Sequence, residues 1–428
     1  MRDLTDPAKF RRAARNGLGR AVLWLRSHPW RPHTETLEDL CRHHPAYDPQ
    51  CEGNRSEYVY RLLEATGELV HFAPIVADAV AICGEDHDAC HRVFLATRFA
   101  AGGFDVCREA VRRRFDRGPS DDPFWGDALI ELDGFDGLIR ALAEWGRRFR
   151  NDPASWEESW FLDAAAETLG PDLQRRVEAV AAADPDVRGY LDGVVARREG
   201  RGARPARLDY RTMPYAEFEA RLGELHVQRG RGISRRWGRY ASELDLRQAA
   251  EDTIAETDAG MLARRLGIFA WRPFPLNHAP LIEMSHRRNS EISTAALRAL
   301  ARLDGEDIHA LAVELLDGGA SASEVIPLLA LNFEFGDERR VLNALLGAAG
   351  DEDDYHWAAH ASVNVFEKNA VPAAAEAMLH VYDHVRCSLC RLGAVRALRA
   401  GNVVPEGMIE ECRHDSLDSL RTFFDADA

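Results

Sequence analysis

The stretch Cys387-Ser-Leu-Cys390-Arg391-Leu-Gly-Ala394-Val395-Arg-Ala-Leu398-Arg-Ala-Gly401-Asn-Val-Val-Pro405-Glu-Gly-Met-Ile409-Glu-Glu-Cys412-Arg-His414-Asp415-Ser416-Leu-Asp-Ser-Leu420-Arg421 decides the fold. It reads as one short helix, a Gly/Pro turn and a second short helix. Looser versions of the same grammar run back through the chain. From Ile292, apolar residues follow at Ala295, Ala296, Ala299, Leu300 and Leu303, and the next set is Ile308, Leu311, Ala312, Leu315 and Leu316. Each set forms one apolar stripe on a helix. Asp304-Gly305 and Asp317-Gly318-Gly319 punctuate them. Further helices are expected around Val325–Leu329, Val341–Leu346, Ala374–Tyr382, Cys387–Leu398, Pro405–Cys412 and Leu417–Phe424.

No segment shows the β-branched alternation of a strand. Short amphipathic helices in series cannot each bury a stripe alone, so they must stack on neighbours. The expectation is an all-α protein, an α-α superhelix of short antiparallel helix pairs. The N-terminal half is helical but less regular, with helices expected near Phe10–Ser27, Thr34–His43, Ser56–Thr66, Phe72–Cys83, Asp88–Ala101, Val106–Phe115 and Leu138–Phe149. Asp184-Pro185 and similar pairs suit a capping residue followed by the first helical position.

A break in composition separates the halves. Residues 196–240 hold twelve arginines against five acids, whereas the whole chain carries a net charge of −16. Glu199-Gly-Arg-Gly-Ala-Arg-Pro205 reads as a linker. The expected organisation is an N-terminal helical region over 1–195, a linker over 196–214 and a C-terminal repeat region over 215–428. The negative balance disfavours nonspecific nucleic-acid binding by the whole molecule and favours basic partners. No apolar run approaches the roughly 20 residues of a membrane span, and the N-terminus lacks a signal-peptide pattern. A cytoplasmic location is expected, and no membrane partner. Eight cysteines in 428 residues do not form a disulfide framework, so reduced, packed thiols are expected.

At Asp48-Pro-Gln-Cys51-Glu52 … Arg55 … Glu57-Tyr58 … Tyr60, and again from Cys387 to Arg421, the chain resembles a group of uncharacterised bacterial proteins with HEAT-like repeats. The resemblance implies an α-solenoid. It does not extend to the HEAT-fold hydroxylases that bind iron through His-Glu dipeptides, because no such dipeptide occurs here.

Four groups of residues are candidates for function. The block from His43 to Arg55 gathers His44, Tyr47, Asp48, Glu52 and Arg55. It could receive a partner or supply an acid and a base. It equally reads as a structured inter-helix loop with Glu52 paired to Arg55 or Arg61. Arg231, Arg235, Arg236, Trp237 and Arg239 lie in the Arg/aromatic stretch, which could hold phosphates and stack bases, meet an acidic protein, or neutralise the chain's own acids. Cys387, Cys390, Cys412 and His414 supply four soft ligands of the kind zinc takes, although Cys387, Cys390, Ala394 and Leu398 also fit a helix core stripe. Cys83, His87, Cys90 and His91 share one helical face. The run Asp351–Asp354 reads as a solvated loop. No phosphate loop, nucleophile elbow or His-Glu-x-x-His pattern is present. The function expected is noncatalytic binding of a protein or peptide; the alternatives are a nucleic-acid-binding solenoid using the Arg/aromatic stretch 197–240, and a metalloprotein or unfamiliar enzyme centred on the 43–55 loop or the C-terminal Cys/His set. No cofactor is expected.

Overall fold

The computed structural model describes residues 3–48, 51–52, 55–84, 88–118, 124–151, 161–200, 213–223 and 227–425. These residues form helices and turns, with no strand among them. They divide into two units. Unit 1 comprises 1–206 and 407–428, and unit 2 comprises 207–406.

Unit 1 contains α1 (Pro7–Asn16), α2 (Gly19–Leu25), α3 (Thr34–Arg42), α4 (Arg55–Glu64), α5 (Leu69–Ala81), α6 (Ala89–Ala101), α7 (Asp105–Asp116), α8 (Phe124–Asn151), α9 (Phe161–Leu169), α10 (Leu173–Ala181) and α11 (Pro185–Gly200). The single helix expected over Phe10–Ser27 is two. Gly17 adopts a left-handed conformation (φ 77°) and closes α1, as glycine does at helix ends. Asp6 caps α1 by accepting the Ala8 N–H, and Asp184 accepts from Asp186 and Val187 at the start of α11. The expected linker begins inside α11, which runs on to Gly200, and the rest of it lies mostly outside the described residues.

The chain returns to unit 1 at its end. The helices Met408–Cys412 and Asp418–Arg421 belong there, and the first of them packs on α2. Gly17 and Gly19 permit the approach. A Cβ on Gly19 would lie 1.9 Å from the Glu411 carbonyl oxygen, and one on Gly17 would strike Arg55 and Ser416. The Ser416 N–H donates to Gly17 O (2.9 Å), Arg61 donates to Asp415 O (3.0 Å), and Arg20 binds Glu411 (2.6 Å). Beneath them Arg55 and Glu52, both fully buried side chains, form an ion pair. Arg55 also donates to Arg15 O at the end of α1 (3.3 Å). The loop from Asp48 folds over this pair, since the Asp48 N–H donates to Glu52 Oε1 (2.7 Å).

Unit 2 contains α12 (Tyr215–Gly223), α13 (Val227–Gly238), α14 (Glu243–Ala255), α15 (Ala259–Leu266), α16 (Ala279–Ser285), α17 (Ser290–Leu300), α18 (Glu306–Asp317), α19 (Ala322–Val325), α20 (Leu329–Asn332), α21 (Asp337–Ala348), α22 (Glu352–Lys368), α23 (Ala375–His384) and α24 (Ser388–Ala400). A 3-10 turn containing Pro327 joins α19 to α20. Packing alternates along the chain. α15 contacts α17, α17 contacts α19, α19 and α20 contact α22, and α22 contacts α24. In the same way α18 contacts α21, and α21 contacts α23. Most of the apolar stripes read from sequence are buried, as with Ile292, Ala296, Ala299 and Leu300 on α17, although Leu346 on α21 is exposed. Polar side chains at helix ends reach back about one helix pair. Arg302 donates to Ala270 O (2.8 Å), Asn332 to Leu303 O (3.0 Å) and Asn369 to Ala330 O (3.3 Å).

Removing one member of a buried ion pair strands the other charge, which costs about 3–5 kcal/mol. Arg55→Ala should therefore lower the stability of unit 1 by about that much in urea unfolding of the full chain. A loss below about 1 kcal/mol would show that the Glu52–Arg55 pair does not anchor this unit.

Candidate functional site

Two of the sequence-derived candidate groups are engaged largely within the protein itself. Glu52 and Arg55 are the internal pair just described, while Tyr47 and Asp48 are half-buried in the loop above them. His44, also half-buried, is fixed by its backbone N–H to Asp88 (2.8 Å) and by accepting the Ala46 N–H (3.2 Å). Trp237 faces the interior of unit 2, not a partner. It is fully buried, stacks on Phe218 (4.4 Å between ring centres) and donates its indole N–H to Met213 O (2.9 Å). Arg235 is half-buried, and Arg236 and Arg239 are exposed. The Arg231 side chain and His87 lie outside the described residues. Arginines and acids of this part of unit 2 pair with each other, as in Arg221–Glu217 (2.8 Å) and Arg265–Glu219.

One arrangement resembles a nucleophile with its base. Ser56 Oγ lies 2.8 Å from His91 Nδ1, and His91 Nε2 lies 2.8 Å from Leu40 O. A carbonyl only accepts, so Nε2 carries the proton and the Ser56 hydroxyl donates to Nδ1. Both residues are buried, and burial pushes the His91 imidazole down to about 3. A reacting molecule cannot reach this hydroxyl, and the pair links α3, α4 and α6 instead.

The Cys/His residues named from sequence separate. Cys412 and His414 lie in unit 1, where Cys412 is buried and His414 contacts Arg26 (3.3 Å) and Glu410 (3.4 Å). Cys387 and Cys390 lie in unit 2, where they meet His356, a residue that the sequence reading passed over. Asp351 caps the start of α22, its carboxylate accepting the Asp354 N–H (2.9 Å), and the helix carries His356 on its buried face. α24 starts one residue after Cys387. Cys387 is therefore the capping residue in extended conformation (φ −64°, ψ 119°), with Cys390 in the first turn. It is buried together with Cys390, Ala394 and Leu398, as its spacing suggested, although it stands just ahead of the helix. Because α22 packs on α24, one ligand atom from each of His356, Cys387 and Cys390 falls within 4.8 Å of the others. Cys390 Sγ is 3.8 Å from His356 Nδ1. Among the described residues this is the one group of three or more His, Cys, Asp or Glu side chains so arranged.

The rim of this cluster is exposed. Trp357 follows His356 and is 56% exposed; Leu389, between the two cysteines, is 46% exposed. His360, one turn along α22, is exposed too, with its ring 6.0 Å from that of Trp357. Its pKa is lowered, by partial desolvation first and then by His356, while Cys387 acts in the opposite sense. Asp351, Glu352 and Asp353 are exposed at the head of α22, with Glu352 paired to Arg386 (3.1 Å). Asp354, at the same end, lines an open cleft of about 300 Å³ that also includes Asp317, Arg340 and Asn343.

No family model matches this chain, and neither a curated protein nor a solved structure was found that matches it.

The state of His91 has a consequence for acid stability. Its folded pKa lies below the ordinary 6.5, so between pH 6.5 and about 3 the unfolded chain binds more protons than the folded one. This contribution leaves stability undiminished above pH 6.5 and erodes it as pH falls toward 3. Urea titrations of wild type and His91→Asn from pH 7.5 to 4 should converge at the acid end. A constant difference across that range would refute the neutral buried imidazole.

Proposed function

We propose that unit 2 is a HEAT-like helical-repeat scaffold and that it binds a basic protein or peptide segment bearing a large apolar anchor. The repeat reading is supported by the alternate packing of α17, α19, α22 and α24 in one series and α18, α21 and α23 in another. The back-reaching bonds of Arg302, Asn332 and Asn369 recur at about the length of one helix pair. Stacked pairs of this kind present continuous surfaces whose exposed ridges make contacts while the buried stripes hold the shape.

The observation that carries the binding reading is Trp357. A tryptophan 56% exposed, with Leu389 46% exposed on the helix packed against its own, is costly to leave in water and is the kind of residue that dominates interfaces. The charge around it selects the partner. Asp351, Glu352 and Asp353 stand one to two turns before it, and Asp317 and Asp354 line the adjacent cleft; Glu352 pairs with Arg386 and Asp317 with Arg340, but acids outnumber these arginines, so the surface is acidic in balance. The chain's net charge of −16 steers in the same sense.

A displayed random-peptide library panned on the intact chain should return sequences rich in Arg and Lys with at least one Trp, Phe, Leu or Met. Trp357→Ala should weaken the best of these at least tenfold, about 1.4 kcal/mol. Raising NaCl from about 0.1 to 0.5 M should weaken them further, by screening. Acidic sequences, or binding indifferent to Trp357→Ala, would overturn the assignment.

A further inference from the structure

Two pairs of buried thiols in this chain differ in what they face. Cys41 and Cys107 are interior side chains whose Sγ atoms donate to helix carbonyls, Leu37 O and Ala73 O, each at 3.3 Å. Burial pushes both thiols up, Cys107 to about 12. They act as small apolar side chains with a weak donor. Cys387 and Cys390 are also buried, yet the Cys390 thiol faces an imidazole nitrogen, and Cys387 stands close to both.

The spacing can be compared with what a metal requires. Zn–S bonds of about 2.3 Å and Zn–N bonds of about 2.0 Å, set at a tetrahedral angle, place sulfur and nitrogen about 3.5 Å apart and two sulfurs about 3.8 Å apart. Cys390 Sγ and His356 Nδ1 are 3.8 Å apart, and the widest separation in the trio is within 4.8 Å. Side-chain rotations of a few tenths of an ångström to one ångström would close the set on an ion. The backbone favours the charged form of the ligands as well. Cys387 directly precedes α24 and Cys390 lies in its first turn, where the helix dipole stabilises thiolate.

We propose that His356, Cys387 and Cys390 bind one zinc-class divalent metal ion, with the fourth position left to water or to His360. On binding, the two thiols lose their protons to solvent and the imidazole binds in its neutral form. Two thiolates cancel the 2+ charge, so the buried centre is electrically neutral and escapes the cost of an uncompensated interior charge. The donor set of two sulfurs and one nitrogen suits zinc over magnesium or calcium, which take oxygen ligands. The ion would tie α22 to α24, two helices successive in the packing series, beside Trp357, whose ring lies 5.0 Å from that of His356. This assignment stands on the ligand geometry and does not depend on the partner proposed above.

The test uses the full chain, expressed with its affinity tag removed and dialysed against a weak chelator. Elemental analysis should find about one zinc per chain. After stripping at low pH and refolding, titration with Co²⁺ should saturate at one equivalent. It should also give the visible bands and sulfur-to-cobalt charge transfer of a tetrahedral thiolate site. Cys387→Ser with Cys390→Ser should abolish both signals, and His356→Ala should weaken cobalt binding at least tenfold. Cys412→Ser should leave both unchanged. The far-ultraviolet dichroism of each variant shows whether it is folded, and the wild-type cobalt titration decides the matter even if the double variant does not fold. Absence of metal together with no saturable cobalt spectrum would overturn the proposal. So would metal retained after loss of both cysteines, or native thiol counting that finds Cys387 and Cys390 joined as a disulfide.

Discussion

A helix with a single apolar stripe is stable in water only when another helix covers that stripe. Unit 2 meets this requirement by alternation. α17 is covered by α15 on one side and α19 on the other, and the series continues through α22 to α24. The remaining features of unit 2 follow from that rule. Helix ends recur beside one another, so a polar residue at one end finds the backbone of the previous pair, as Asn332 does with Leu303. A cluster such as His356, Cys387 and Cys390 can form across two helices although His356 and Cys387 lie 31 positions apart in the chain.

Unit 1 is governed by a different constraint. Its sequence is interrupted by unit 2, so its last helices must be recovered from the far end of the chain. Apolar surface alone is indifferent to which segment covers it. The specificity here comes from groups that are costly to leave unpaired: Arg55 and Glu52 in the interior, Arg20 with Glu411, and Ser416 on Gly17. The close approach at Gly19, where no side chain fits, completes the match. Helix α4 and the end of the chain meet at this junction, where Arg61 donates to Asp415 O.

The chemistry-bearing residues divide by their access to water. His91 and Ser56 have the geometry of a working pair and none of the access. Trp237 has the composition of a stacking platform and lies in the interior. The group around α22 and α24 differs, because a buried set of soft ligands there lies beside an exposed aromatic and near an acidic helix start. Binding at the rim and metal beside it are separable proposals. A metal there would nonetheless set the rigidity of the surface that presents Trp357.

The amino-acid pattern by itself determined that this chain is helical, because stripes at a period of 3.6 residues cannot be buried by strands. It also placed most helices of the C-terminal half within a few residues, and it allowed Glu52 to pair with Arg55 as neighbours three apart on one helix approach. Local signals failed where helices lack a clean stripe, as over α12 to α16, and where Gly17 divides a continuous apolar run. The tertiary structure alone decided which distant residues meet. It brought His356 to Cys387 and Cys390 while leaving Cys412 and His414 in unit 1, and it turned Trp237 inward. Those outcomes depend on which helix covers which stripe, and an apolar stripe carries no address: the pairing is settled only when all stripes are buried at once.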